Sequence, residues 1–200
     1  MLTSACAPKA GELTLEGITA IRTACPAVAI PAATGDVTLF NPPTSQDASA
    51  IDVTATMTEV RSTCVDVGEN VETTVTFEVR GLRNDVQAAR DVTLPYFITV
   101  VQGGTAVVSK RIGRVALHFD AGQQRASVAG EATASVVRAA ATLSPEVRKS
   151  LTRKRKAGQE DAAVDPLSRP DIRQAVQRAT FEALVGFQLT DEQLKYNATR

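Results

Sequence analysis

The residue types that most often do chemistry are sparse in this 200-residue chain. There is a single histidine, His118, set in the run Val115-Ala116-Leu117-His118-Phe119, where a strand histidine facing solvent or packing as a polar neighbour is expected. As the only imidazole it is the one ordinary candidate for a general base. No Cys-x-x-Cys spacing occurs, so with one histidine no zinc-type ligand set is expected. Nucleophile-elbow, phosphate-loop and dinucleotide motifs are missing, and Gly103-Gly104 reads as a hairpin turn rather than a phosphate cradle. Carboxylates that cooperate in hydrolysis need not be near each other in sequence, and none is marked out here. The expectation is therefore a chain that is not an enzyme and uses no metal or cofactor. A hydrolase with unmarked carboxylates is the catalytic alternative.

The densest local feature is basic. Arg148, Lys149, Arg153, Lys154, Arg155 and Lys156 lie close together, followed by Glu160, Asp161 and Asp165. On a continuous helix Arg148 aligns with Arg155, and Lys149 with Arg153 and Lys156. Such a cluster can attract an anionic lipid or glycan surface; the plainer reading is a solvated helix balanced by the acids that follow it. Nucleic acid is not an expected partner. Lys plus Arg and Asp plus Glu both number 22, and no aromatics interleave the basic run.

The small residues Thr3-Ser4-Ala5 before Cys6 resemble the lipobox of bacterial lipoproteins, in which the Cys is lipidated; the aliphatic residue usual three places before it is here Thr3, with Leu2 one further out. That resemblance implies a lipid attached at Cys6, a membrane anchor and export. With Cys6 so assigned, Cys25 and Cys64 remain, and in an exported protein such a pair reads as a disulfide closing a loop of about 40 residues. Two buried free thiols are the alternative.

These residues must be carried by strands. Ala27 to Ile30 and Val37 to Phe40 are short apolar runs, and Ile51, Val53, Ala55 and Met57 alternate with polar residues before the parity shifts near Thr58-Glu59, as at a bulge. Gly68-Glu69-Asn70 turns the chain into a second alternating run, Val71 to Val79, making a long antiparallel hairpin. A polar loop is expected from Gly81 to Arg90. Val92 to Gln102 reads as a strand that Pro95 places at an edge or a bulge. Thr105 to Ser109 and Ile112 to Phe119 follow as strands, as does Arg125 to Val137, with helix as its alternative. Ser144-Pro145 opens a helix, Asp165 caps another, Phe181 to Leu189 reads as the final strand with a continued helix as the alternative, and Thr190-Asp191-Glu192-Gln193 is a capping box for a last short helix. The expected fold is mostly β: an antiparallel β-sandwich of immunoglobulin or fibronectin-III type, with a helical insertion at about 144–179 before the last strand. Residues 1–24 are expected as an N-terminal tether or signal remnant, and 25–200 as one domain. No apolar run reaches the roughly 18 residues of a membrane helix.

The segment Leu184-Val185-Gly186-Phe187-Gln188-Leu189-Thr190, leading to Tyr196-Asn197-Ala198-Thr199-Arg200, resembles the ending shared by uncharacterised alphaproteobacterial envelope lipoproteins, as do the runs beginning at Cys25, Asp91 and Arg114. The resemblance implies export and a periplasm-facing lipid anchor, and assigns no catalytic residue or ligand. The functional expectation is a non-catalytic envelope module whose partner is another envelope protein.

Overall fold

In a computed structural model of the protein, residues 13–14, 17–18, 23–153 and 164–199 are described. Strand takes 51% of the chain and helix 19%, so the sheets set the architecture. Within the segment expected as a tether, β1 (Leu13–Thr14) and β2 (Gly17–Ile18) pair antiparallel. The sandwich is built from β3 (Ala27–Ala29), β4 (Asp36–Phe40), β5 (Ile51–Val67), β6 (Asn70–Arg83), β7 (Arg90–Gln102), β8 (Ala106–Phe119), β9 (Arg125–Val137) and β10 (Phe181–Phe187). The first sheet has the order β3-β10-β7-β8 and the second β4-β5-β6-β9. Neighbours are antiparallel except β3 and β10, which run parallel. The antiparallel sandwich expected from the alternation is thus the fold, with the helical insertion before the last strand.

The inward faces follow the period-2 pattern. Val53, Ala55 and Met57 of β5 and Val75, Phe77 and Val79 of β6 meet Leu94, Ile98 and Val100 of β7 and Ala183 and Val185 of β10. The expected bulge is present: register shifts between Thr58 and Arg61, and Glu59 adopts φ +53°. Arg80 holds both Glu78 and Glu59 there.

The loop expected from Gly81 is corrected. β6 runs on to Arg83 because Gly81 lies under the neighbouring sheet, where a Cβ would stand 2.6 Å from Leu117 and 2.9 Å from Phe119. Arg83 is only 1% exposed. Its guanidinium donates to the carbonyls of Gln123 (2.8 Å), Ala88 (2.6 Å) and Asp120 (2.7 Å), and lies 5.2 Å from the Phe119 ring centroid. Pro95 is also informative. β7 is an inner strand, between β10 and β8. The Pro95 carbonyl accepts from Gln188 just past the end of β10, so the side on which the ring lacks an N–H is where β10 has stopped.

Two aromatics close the side of the sandwich at β8 and β9. Tyr96 lies over Gly113 of β8 and Phe77 over Gly130 of β9, the rings meet edge to face at 5.0 Å, and the Tyr96 hydroxyl donates to the Glu131 carbonyl at 2.7 Å. Burial raises the Tyr96 pKa, with Glu131 adding to it.

In the insertion, Ser144 caps α1 (Pro145–Thr152) by accepting from Val147 N, and Asp165 caps a 3₁₀ turn ahead of α2 (Pro170–Arg178). Then α3 (Asp191–Thr199) opens on the expected capping box, with Thr190 N donating to Gln193 Oε1 and Gln193 N to Thr190 Oγ1. Asn197 donates to the carbonyls of Ala33 (2.9 Å) and Asp36 (2.7 Å), and Tyr196 packs edge-on against Phe40. Thr34, in the same turn, crosses directly over Gly186, where any Cβ would collide at 2.3 Å.

Candidate functional site

Cys25 and Cys64 form a disulfide, with Cα atoms 6.0 Å apart. It joins the start of β3, at the edge of the first sheet, to β5 of the second. Cys6 lies outside the described residues. Of the basic run, Arg148 and Lys149 are exposed on α1, while Lys154, Arg155 and Lys156 lie outside the described residues. The helical alignment expected for these side chains is corrected: α1 ends at Thr152, and Arg153 is extended with ψ 122°. Arg153 therefore does not continue the α1 stripe of Lys149, and the alignments expected of Arg155 and Lys156 lie outside the described residues. Beside α1 and α2 is a shallow, open depression of about 450 Å³ floored by Leu143, Val147, Ala175 and Arg178.

Of the two placements expected for His118, solvent-facing or packed as a polar neighbour, the structure shows the first, with 61% of its side chain exposed. Its Nδ1 stands 2.7 Å from Asp91 Oδ1 on the paired strand β7, and its Nε2 3.3 Å from Asp120 Oδ1 in the following turn. The hydrogen bond with Asp91 raises its pKa first, reinforced by the charges of both carboxylates. An exposed imidazole held at both nitrogens is occupied as a clamp between strand and turn. Among the described residues, no group of three or more His, Cys, Asp and Glu side chains is arranged to hold a metal ion.

The feature missed in the sequence is β8. It is the outer strand of the first sheet, with no strand hydrogen-bonded beyond it among the described residues. Every residue from Ala106 to Ile112 is exposed, including Ser109 and Arg111, whose parity is that of the buried Ile98 and Val100 beside them on β7. This half of β8 overhangs the second sheet. Val107 is 64%, Val108 52% and Ile112 60% exposed. On the outer face Ile112 pairs with Phe97 and Val107 with Val101, while Leu184 lies one strand further in. Lys110 Nζ sits 5.1 Å from the Phe97 ring centroid. Lys110, Arg111 and Arg114 make no ion pair among the described residues, and β8 contains no Asp or Glu. The signal available in the sequence was this run of β-branched residues and cations with no acid among them. It reads locally as an ordinary return strand, because nothing local says that the second sheet stops short.

No family model and no curated protein matches the chain. A crystal structure of a DUF1425 family member from Shewanella sp. pv-4 is similar over 52% of this chain and 88% of that one, at 15% sequence identity and a TM-score of 0.26. A likeness of that size assigns neither a family nor an activity.

Proposed function

We propose that the protein is a non-catalytic binding module of the bacterial cell envelope, held to a membrane through a lipid on Cys6 and engaging another envelope protein through β8. The observation that carries the binding reading is the β8 overhang, where exposed Val107, Val108 and Ile112 stand beside Lys110, Arg111 and Arg114, which make no ion pair among the described residues. Contiguous exposed apolar surface rimmed by charge is a common mark of interaction sites. The Cys25–Cys64 bond supports the location, since structural disulfides persist in oxidising compartments such as the periplasm.

The test uses a photoreactive residue at Ile112 in the full-length protein in its native membrane, with the same residue at exposed Thr76 on the opposite sheet as control. The expected result is an adduct with one envelope protein from position 112 and none from 76. Intact mass before and after reduction should show a lipid starting at Cys6, with Cys25 and Cys64 shielded from alkylation until reduced. Equal labelling from both positions would remove the binding reading. An unmodified Cys6 beside two free thiols would remove the envelope.

A further inference from the structure

We infer that β8 receives an extended, acidic segment of the partner as an added strand at its free edge. This rests on the binding reading above and names the chemistry of what binds. The argument begins with the backbone. An outer strand leaves unpaired N–H and C=O groups along one side, and these can pair with an incoming chain. In β8 they run through a segment with all side chains from Ala106 to Ile112 in solvent. Nothing from the second sheet overlies it.

Charge then selects the occupant. Lys110, Arg111 and Arg114 stand on both faces of the strand, since Lys110 and Arg114 pair across to Thr99 and Pro95 on the outer face and Arg111 to Ile98 on the inner. A second copy of β8 laid antiparallel along the first would bring these three cations against their own equivalents, and like charges across strands destabilise pairing. Cations on an edge strand, with the register shift between Val100 and Val101, are also the usual means of preventing self-pairing. The same charges favour a strand that carries Asp or Glu. Exposed Val107, Val108 and Ile112 favour alternate β-branched or other apolar residues between those acids. The recognised class is therefore an extended segment in which acidic and apolar residues alternate.

The probe is the blocked peptide (Glu-Val)4 added to the full-length protein, with (Lys-Val)4 and (Glu-Val)4 methylated at every backbone nitrogen as controls and phosphatidylglycerol vesicles as a lipid control. The readouts are amide chemical shifts and amide hydrogen exchange. The expected result is saturable binding of (Glu-Val)4 alone, with new protection confined to amides of residues 106–114. Lys110→Glu/Arg111→Glu/Arg114→Glu should weaken that binding roughly tenfold or more, and the Gln triple variant, which leaves the surface neutral, by less. Both variants keep their side chains in solvent, and an unchanged amide spectrum elsewhere verifies the fold. Binding without new protection in β8 would overturn strand addition. So would equal binding of the N-methylated peptide, which has no backbone N–H to donate. Binding only to vesicles would replace the peptide with a lipid surface, and a dimer formed through β8 would replace it with a second copy. If Cys6 carries no lipid but (Glu-Val)4 binds, only the anchor falls. If position 112 crosslinks an envelope protein but (Glu-Val)4 gives no protection, only the strand-addition inference falls.

Discussion

His118 belongs to a small electrostatic clamp whose pH dependence has a definite sign. Asp91 accepts at one ring nitrogen and Asp120 lies near the other, so the folded protein binds the imidazole proton more tightly than the unfolded chain does. A group whose folded pKa is raised contributes stability that is fully present below its unfolded value, about 6.5, and lost as pH rises through the folded value. His118 is the only histidine, so its ring resonances titrate without overlap. The expected outcome is an NMR midpoint above the ordinary histidine value, falling when Asp91→Asn removes the first-ranked cause, and falling less with Asp120→Asn. An unchanged midpoint in Asp91→Asn would mean that the pair is open in solution. His118's place on a strand was legible from its apolar neighbours Leu117 and Phe119. Its two carboxylates were not, since Asp91 sits across a strand pairing. Arg83 is a starker case. An arginine two residues after a glycine reads as loop, and only the convergence of the carbonyls of Ala88, Asp120 and Gln123 makes a buried guanidinium tenable there.

Among the elements, those with local causes were the ones visible beforehand. The β5–β6 hairpin, its bulge and the capping box of α3 depend on residues within a few positions of one another. The end of β6 and the overhang of β8 depend on what lies across the sandwich or outside it, and no period in the chain records that. The closed side between β8 and β9 makes the point testable. Phe77 reaches over Gly130 and Tyr96 over Gly113, each filling the space of a missing side chain before the rings meet. Gly130→Ala places a methyl 2.3 Å from the Phe77 ring atoms, and no rotation of a methyl relieves it. The ring must leave its site and disturb its contact with Tyr96. Urea unfolding should show a loss of about 2 kcal/mol, in the range of overpacked cores. Tyr96→Phe keeps the ring and loses only the bond to the Glu131 carbonyl, so its loss should be about 1 kcal/mol. Equal effects from the two variants would show that the hydroxyl, rather than ring packing over glycine, holds this side shut.

At the scale of the molecule the two sheets are joined covalently once among the described residues, and the bulge in β5 determines that the joint can form. Before the bulge Thr54, Thr56 and Thr58 face outward; after it Arg61 and Thr63 do, because three residues of β5 span two of β6. The parity change brings Cys64, paired with the buried Thr73, to the inward face, where Cys25 enters at the start of β3. A strand of unbroken parity would carry Cys64 on the outer face, away from Cys25. The bond spans a sequence separation of 39, and the chain-entropy estimate for a loop of that length is about 4 kcal/mol. In a protein of this size that corresponds to a melting temperature lower by roughly 10 °C on reduction. Cys25→Ala/Cys64→Ala should match the reduced protein. Deleting Val60 should remove the parity change and leave both thiols reactive to alkylation under non-reducing conditions, with stability falling to that of the double variant or below. If the Val60 deletion still yields a fully oxidised Cys25–Cys64 pair, the facing of Cys64 does not depend on the bulge, and the chain must re-form the register shift elsewhere in β5. That outcome would locate the cause in the disulfide itself, pulling the strand into register after the bond has formed.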